Sequence, residues 1–412
     1  MPTPDPTLPR PERLHDLDCL RVCAFGVLVL YHVGMYYVTW DWHVNSPRPV
    51  PALEPLMMLS APWRLSLLFL VSGMATAFLL ARAQRQAAVD GRVRFLGSRS
   101  WRLLPPLLFG MAVVVVPQAY YAVVEQLPGG YDEGYLAFWA RYLRGDGSFC
   151  DADGCLVLPT WNHLWFVAYL WVYTVALWCL WRFARPLLDR AATLPDRLLS
   201  GCGLLLWPAA ALAATRLLLV GRFGSTHALT DDWYNHVQYF GVFLLGFLAA
   251  HSPGFRDAAL RLRWPALVLW LASWAVLAWY FSHYAGTTPP DALRILMRVV
   301  WGLDQWWAIV AVLGFARRLA PGDGPLLRYL VPAVFPVYIL HQTVIVVAAH
   351  HFKPLGLHPA LEGPLLVAIT FGACFAGYET IRRVPLLRPL FGLKGRDRRP
   401  AAPASAGATT VR

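Results

Sequence analysis

The chain has 412 residues, of which 57% are apolar and only 15% are charged. This is more apolar surface than one soluble core can bury, so the composition excludes an ordinary soluble domain and predicts a polytopic membrane protein surrounded by lipid. The net charge is +12, but the arginines are spread between apolar runs and form no basic patch with interleaved aromatics, so nucleic-acid binding is not expected.

Ten apolar runs follow one another along the chain, and each has about the 20 residues that a helix needs to cross a bilayer. We therefore predict an all-α bundle of about ten transmembrane helices at 19–385. A polar N-terminal segment, 1–18, precedes it, and a disordered basic tail, 386–412, follows it. The predicted helices lie near residues 19–39, 63–81, 101–122, 161–183, 198–220, 233–251, 264–284, 296–316, 327–350 and 363–385.

Positive charge is unevenly distributed between the two sets of alternating loops. The termini and the loops after the second, fourth, sixth and eighth runs contain 25 Lys and Arg residues, whereas the opposite loops contain six. Because basic loops remain in the cytoplasm, we predict cytoplasmic termini and an even number of spans. The expected location is the plasma (inner) membrane of a bacterium.

The first predicted helix contains ionisable residues, which are costly inside a membrane and are therefore functional candidates. Arg21 and His32 are eleven positions apart. On a helix this separation is about 1100° and a rise of about 16 Å, so both residues share one face. Asp18 precedes Arg21 by three positions and is close enough to pair with it. The alternative is that Arg21 only extends to the interface and that His32 bonds a neighbouring carbonyl.

The second and third predicted helices each contain a notable pair of residues. Ser72 and Gly73 form a small-residue face that lets a backbone or a ligand approach closely, although helix packing alone also explains it. Arg99 and Arg102 are three positions apart at the cytoplasmic end of the third helix, where two guanidinium groups can hold phosphates. The alternative for the two arginines is ordinary positive charge on the inner side.

The longest loop on the predicted outer side, about 124–160, is acidic and glycine-rich. It contains Cys150 and Cys155, with Gly154 between them. Since an outward-facing loop lies in an oxidising compartment, we predict a disulfide between the two cysteines. A loop this short gives modest stabilisation and can be strained.

The later helices add five further candidates. His163 and Trp165 begin the fourth helix, and Asp304 is a buried acid in the eighth. Tyr338 and His341 lie deep in the ninth, after two helix-breaking prolines. Proline frees backbone carbonyls inside a membrane, so the alternative role of His341 is to satisfy one of them.

These motifs together resemble the acyltransferase 3 family of membrane-bound O-acyltransferases, and within it the glucan biosynthesis protein C group. The resemblance spans residues 14–385. It implies ten helices with both termini inside. It also implies transfer of an acyl group, of acetyl or succinyl type, from cytoplasmic acyl-CoA to a hydroxyl of an extracytoplasmic or lipid-linked glycan. The residues that carry it are Asp18-Cys19-Leu20-Arg21 with His32, Phe69 to Gly73, Arg99 with Arg102, Leu164-Trp165-Phe166, and Pro336 to His341.

The implied activity gives the candidate residues roles. A thioester acylates an alcohol without a metal or a permanently bound cofactor, but it needs a base, and an imidazole suits that task. We expect His32 to be the general base and His341 to be a second base or to orient the acceptor. Arg21, Arg99 and Arg102 are expected to bind acyl-CoA. The residues expected to contact the acceptor or support the site are Asp18, Ser72, Gly73, His163, Trp165, Asp304 and Tyr338.

The expected partners are therefore acyl-CoA, a glycan or other hydroxyl acceptor, and membrane lipid. A different class, a secondary transporter of an organic anion, would also use intramembrane arginine and histidine and proline-broken helices. However, the two halves of the chain show no convincing repeat. A sensor or structural membrane protein would not need Arg21 and His32 on one face.

Overall fold

The computed structural model describes residues 15–86, 91–151, 154–320 and 322–395. The apolar runs form helices because backbone N–H and C=O groups in lipid must be hydrogen-bonded within the segment. The helices are α1 (His15–Tyr37), α2 (Glu54–Ser60), α3 (Arg64–Gln86), α4 (Gly91–Phe109), α5 (Val116–Gln126), α6 (Tyr135–Leu143), α7 (Trp165–Phe183), α8 (Arg185–Ala191), α9 (Leu194–Leu198), α10 (Gly203–Phe223), α11 (Trp233–Ala249), α12 (Pro253–His283), α13 (Asp291–Leu319), α14 (Pro325–Phe352), α15 (Pro359–Arg383) and α16 (Leu387–Leu390).

Shorter elements complete the chain. A π-helical turn, Gly110–Val114, joins α4 to α5, and 3-10 turns occupy Pro51–Leu53, Asn162–Leu164 and Lys353–Leu355. Two strands, β1 (Cys150–Asp151) and β2 (Gly154–Cys155), pair antiparallel with Cys150 opposite Cys155.

Within the described residues, nine helical segments are long and apolar enough to cross a membrane. They coincide with nine of the ten predicted runs, and the third of these comprises α4, the π-helical turn and α5. The remaining run, 233–251, forms α11, which has 17 residues. Such a helix is about 26 Å long, at the short end of the range for a transmembrane span. The predicted all-α, multi-pass fold is confirmed.

Close approach of two backbones fixes the crossing of α3 and α11. A β carbon added to Gly73 would lie 1.9 Å from the carbonyl oxygen of Phe243, and one added to Gly246 would lie 2.1 Å from that of Leu70. Any larger side chain would push the helices apart. Of the two interpretations of the small-residue pair, helix packing is therefore the one that applies to Gly73.

Both ends of the described chain lie at one end of the bundle, together with Arg21, Arg99 and Arg102, and we call this the basic end. The first helix starts at His15, earlier than the predicted boundary at 19, and its Asp16 pairs with Arg256 at 3.1 Å. Asp18 thus belongs to α1. Residues 1–14 of the predicted N-terminal segment lie outside the described residues.

The boundary predicted at residue 386 needs correction. Instead of a disordered tail, the next residues form α16, and Phe391 is buried, with its ring 5.5 Å from that of Phe109 on α4. The physical reason is composition: Leu387, Leu390 and Phe391 are apolar, and the polar sequence begins only after Leu393. Residues 396–412 of the predicted tail lie outside the described part of the chain.

Candidate functional site

A cavity of about 660 Å³ opens at the basic end between α3, α4 and the segment after α16. We call it the outer cavity. Its described lining contains no carboxylate and includes the cations Arg82, Arg94, Arg99, Arg102 and Lys394. Several guanidinium groups around one opening form charge-assisted hydrogen bonds best with phosphates or similar polyanions.

A narrower cavity of about 120 Å³, the inner cavity, shares Arg99 and Arg102 with the outer one and extends into the bundle. Arg21 and Ser72 also line it, so the structure brings together the three arginines that the sequence predicted to act together. Arg21 is paired with Asp18 at 3.2 Å, as its position three residues later suggested. The rest of the lining is mainly apolar and includes Phe25, Leu68, Val71, Phe166, Leu170, Val334 and Phe335.

Beyond the inner cavity lies a pair of histidines from the two ends of the sequence. Nδ1 of His32 on α1 is 2.8 Å from Nε2 of His341 on α14. Nδ1 of His341 is in turn 2.6 Å from the backbone oxygen of Tyr338. We call His32 and His341 the histidine dyad. His341 is completely buried.

The hydrogen bonds determine which ring nitrogens carry protons in the neutral dyad. Because the Tyr338 carbonyl can only accept, Nδ1 of His341 must donate to it. Nε2 of His341 is then the acceptor, so Nδ1 of His32 donates. Nε2 of His32 then carries no proton, and no described residue bonds its lone pair, which is the state that a general base requires.

The prolines of α14 do not account for the hydrogen bond that His341 makes to a backbone carbonyl. Pro332 and Pro336 lack the N–H groups that would bond the carbonyls of Arg328 and Pro332. The carbonyl bonded by His341 belongs to Tyr338 and is not one of these. The alternative role expected for His341, satisfying a carbonyl freed by proline, is therefore wrong.

His163 supports α14 beside the dyad. Its Nε2 donates to the backbone oxygen of Ile339 at 3.1 Å, and its own backbone oxygen accepts from the hydroxyl of Tyr338. The rings of His163 and His341 are 5.1 Å apart. Trp165 stacks on His227 at 4.0 Å.

Four aromatic rings separate the inner cavity from the dyad. The ring of Tyr338 lies 5.3 Å from Phe25, 6.2 Å from Phe166 and 6.2 Å from Phe335, all of which line the cavity, and 5.9 Å from His341 on the other side. We call these four residues the aromatic layer. Phe25 precedes His32 by seven positions, a rise of about 10 Å. His32 is thus about two helical turns beyond the end of the cavity.

A hydrogen-bonded network surrounds the dyad on the side away from the basic end. Nε2 of Gln118 donates to Thr343 at 2.7 Å, and Oε1 of Gln118 accepts from Asn162 and Gln342, both at 3.1 Å. Gln342 also donates to Nε2 of His43 at 2.9 Å. Burial lowers the pKa of His43 to about 4, so this ring remains a neutral acceptor.

Sequence reasoning missed most of this network. Gln118 and Gln342 are polar residues inside apolar runs, which is a signal that could have singled them out. His43 lies in the segment between α1 and α2 and belongs to no recognisable pattern, so only the structure identifies it.

The structure does not bring Asp304 to the dyad. This residue is fully buried between α12 and α13, and its Oδ1 accepts from the hydroxyl of Ser273 at 2.8 Å. Within the described chain, its Oδ2 has no hydrogen-bond partner.

The predicted disulfide is present: Cys150 and Cys155 are joined between β1 and β2.

This arrangement defines a class of protein: a multi-pass membrane protein with a buried histidine dyad and a cationic cavity at one end. The acyltransferase domain of the acyltransferase 3 family matches residues 14–379, and the chain belongs to that family. It is therefore a membrane O-acyltransferase.

Proteins similar to this chain include the glucans biosynthesis proteins C of three Escherichia coli strains. Those of O6:K15:H31 (strain 536 / UPEC) and O1:K1 / APEC are each 23% identical to it over 398 residues. That of O17:K52:H18 (strain UMN026 / ExPEC) is 22% identical over 397 residues. Each alignment covers 93% of this chain and 95% of the relative. No solved structure matches the chain.

Proposed function

We propose that this enzyme transfers an acyl group, of acetyl or succinyl type, from cytoplasmic acyl-CoA to a hydroxyl of an extracytoplasmic or lipid-linked glycan in a bacterial inner membrane. The observation that carries the proposal is the alignment of the arginine-lined cavities, the aromatic layer and the histidine dyad along α1. The names of the similar proteins, which refer to glucan biosynthesis, support a glycan as the acceptor.

The cavities suit the donor. The phosphates of coenzyme A would bind in the outer cavity, where Arg99 and Arg102 lie without a carboxylate in the described lining. The pantetheine arm would then pass Arg21 into the inner cavity, whose mainly apolar walls fit an uncharged chain. The aromatic layer would then have to rearrange so that the thioester can reach the histidine dyad.

His32 would perform the proton transfer. Its Nε2 takes the proton of the acceptor hydroxyl while the hydroxyl oxygen forms a bond to the thioester carbon. The bond between that carbon and sulfur then breaks, and the proton passes from His32 to the departing thiolate. His341 holds His32 in the tautomer that leaves Nε2 free, and it stabilises the imidazolium that forms.

The proposed orientation places the basic end in the cytoplasm. It is supported by the 25 Lys and Arg residues in one set of loops against six in the other. The polar network around Gln118 would then face the outer side, where a glycan hydroxyl arrives. Its amide and imidazole groups are suited to bonding sugar hydroxyls.

Transferase kinetics of the purified protein test the proposal. Wild-type enzyme is incubated with labelled acetyl-CoA or succinyl-CoA and candidate glycans, and acyl-glycan formation is followed. His32→Ala should lower turnover by about 10²–10⁴-fold, as expected when a general base is lost, while donor binding remains. His283→Ala, which removes a histidine stacked on Trp279 at the end of α12, is the matched control and should behave as wild type. Near-normal turnover by His32→Ala would refute the assigned base.

A second pair of variants tests the donor site. Arg102→Ala should chiefly raise the Michaelis constant for acyl-CoA, because a phosphate contact is present equally in the ground and transition states. Arg318→Ala removes an exposed arginine at the end of α13 that does not line either cavity and should leave the Michaelis constant unchanged. Equal effects of the two substitutions would argue against a specific phosphate site.

A further inference from the structure

Arg64, the first residue of α3, is a buried cation to which the proposed chemistry assigns no role. Its side chain lies within the protein, with the residue only 8% exposed. Among the described residues it forms neither a hydrogen bond nor an ion pair, and its Nε and Nη1 are both buried without a partner. A buried, unpaired guanidinium is costly unless a ligand supplies the missing negative charge.

Arg64 lies close to His32, the proposed base. The guanidinium carbon lies 3.3 Å from the centre of the Tyr31 ring, and that ring is 6.0 Å from the ring of His32. Arg64 and His32 are also close enough to interact electrostatically. Stacking on Tyr31 uses the face of the guanidinium and leaves the N–H groups at its edge available to an acceptor.

A second side chain with an unpartnered nitrogen lies within electrostatic reach of Arg64. Nε2 of His227 is buried and has no hydrogen-bond partner in the described structure. This ring is stacked on Trp165 at 4.0 Å, and burial lowers its pKa to about 4, so it is neutral at physiological pH. Two buried nitrogen groups with unused hydrogen-bonding capacity point to an oxygen-bearing ligand between α1, α3 and α7.

We propose that Arg64 binds a negatively charged oxygen of the reacting group beside His32. The assignment rests on the proposed acyl transfer. Two sources share this chemistry: the oxyanion of the tetrahedral intermediate, and a carboxylate at the far end of a dicarboxylic acyl group. In the first case, attack of the hydroxyl places its proton on His32 and negative charge on the former carbonyl oxygen. When the carbon–sulfur bond breaks, the electron pair of that oxygen re-forms the carbonyl, and the departing thiolate carries the negative charge and takes the proton from His32.

Donor kinetics of Arg64→Gln distinguish the two sources. An oxyanion role predicts that kcat falls by about 10²–10³-fold with both acetyl-CoA and succinyl-CoA, with little change in KM. A carboxylate role predicts that succinyl transfer alone is impaired, through a higher KM, and that acetyl transfer is retained. Unchanged kinetics with both donors in a folded variant would overturn the proposal.

Two further variants secure the result. Arg216→Gln is the matched control, because Arg216 also stacks on an aromatic ring, Trp301 at 4.2 Å, but its Nη1 already donates to Tyr234. It should stay within about threefold of wild type. If Arg64→Gln does not fold, the donor kinetics of Arg64→Lys test the role of Arg64 instead. The lysine keeps the charge but loses the planar fork, so at least a tenfold loss in kcat/KM is expected for one donor or both. Wild-type kinetics of Arg64→Lys would then overturn the proposal.

The failure of this assignment can be separated from failure of the proposed function. If wild-type protein transfers neither acyl group to any glycan, the proposed function and the role of Arg64 are both refuted. If wild-type protein is active and Arg64→Gln is folded and equally active, only the role of Arg64 is refuted.

Discussion

Substitution of His341 by phenylalanine should separate orientation of the base from the base itself. Phenylalanine retains a ring next to Tyr338 but removes the nitrogen that accepts from Nδ1 of His32 at 2.8 Å. The His32 ring then loses the contact that fixes its tautomer and its rotation. We expect slower turnover with the donor site intact.

The expected size of the effect follows from the hydrogen bond that is lost. In the proposed proton transfer His32 becomes an imidazolium, so its bond to His341 becomes charge-assisted and contributes about 1.5–3 kcal/mol. At about 1.4 kcal/mol per factor of ten, kcat should fall by about 10–150-fold. The KM for acyl-CoA should hardly change, because the arginines lie on the other side of the aromatic layer.

The assay is release of coenzyme A thiol together with mass spectrometry of the acylated glycan, for protein that elutes as a single species and melts cooperatively. His341→Gln is the matched variant, since its side-chain carbonyl can still accept from His32. It should retain more activity than His341→Phe. A kcat for His341→Phe within about twofold of wild type would refute the orienting role.

Three further predictions concern the fold. Gly73→Ala should destabilise the protein by about 1–3 kcal/mol or more, because its β carbon would lie 1.9 Å from a backbone oxygen of α11. Gly241→Ala on α11, with no atom within 4 Å of the added carbon, should leave the melting temperature unchanged or raised. Reporters fused at Gly145 and at the C-terminus should report opposite sides of the membrane, and agreement between them would contradict the topology. Peptide mapping without reductant should recover Cys150 linked to Cys155, whereas two free thiols would contradict the disulfide.

The parts of the site that depend on local spacing could be predicted from the sequence. Arg99 and Arg102 are three positions apart on one helix, so their joint position at a cavity follows from helical geometry alone. The pairing of Arg21 with Asp18 has the same origin. The transmembrane helices were predictable because the requirement for about 20 apolar residues is nearly independent of tertiary structure.

The dyad itself could not be predicted in the same way. His32 and His341 are 309 positions apart, and their contact requires α1 to pack against α14, which no local pattern specifies. The same limitation affected Asp304, whose intramembrane position made it a candidate. Its partner Ser273 belongs to α12, and only packing shows that this contact is away from the dyad. Gly73 likewise had two interpretations until the backbone of α11 was located against it.

The aromatic layer has a consequence for the energetics of the membrane in which the protein operates. A continuous wet passage lined by imidazoles would let protons flow down the electrochemical gradient, which is worth about 2.3 kcal/mol per charge for every 100 mV. Tyr338, only 2% exposed and packed among three phenylalanines, interrupts any such passage between the arginines and the histidines. The proposed reaction, with one reactant from each side of the bilayer, would then proceed without a continuous path for protons through the protein.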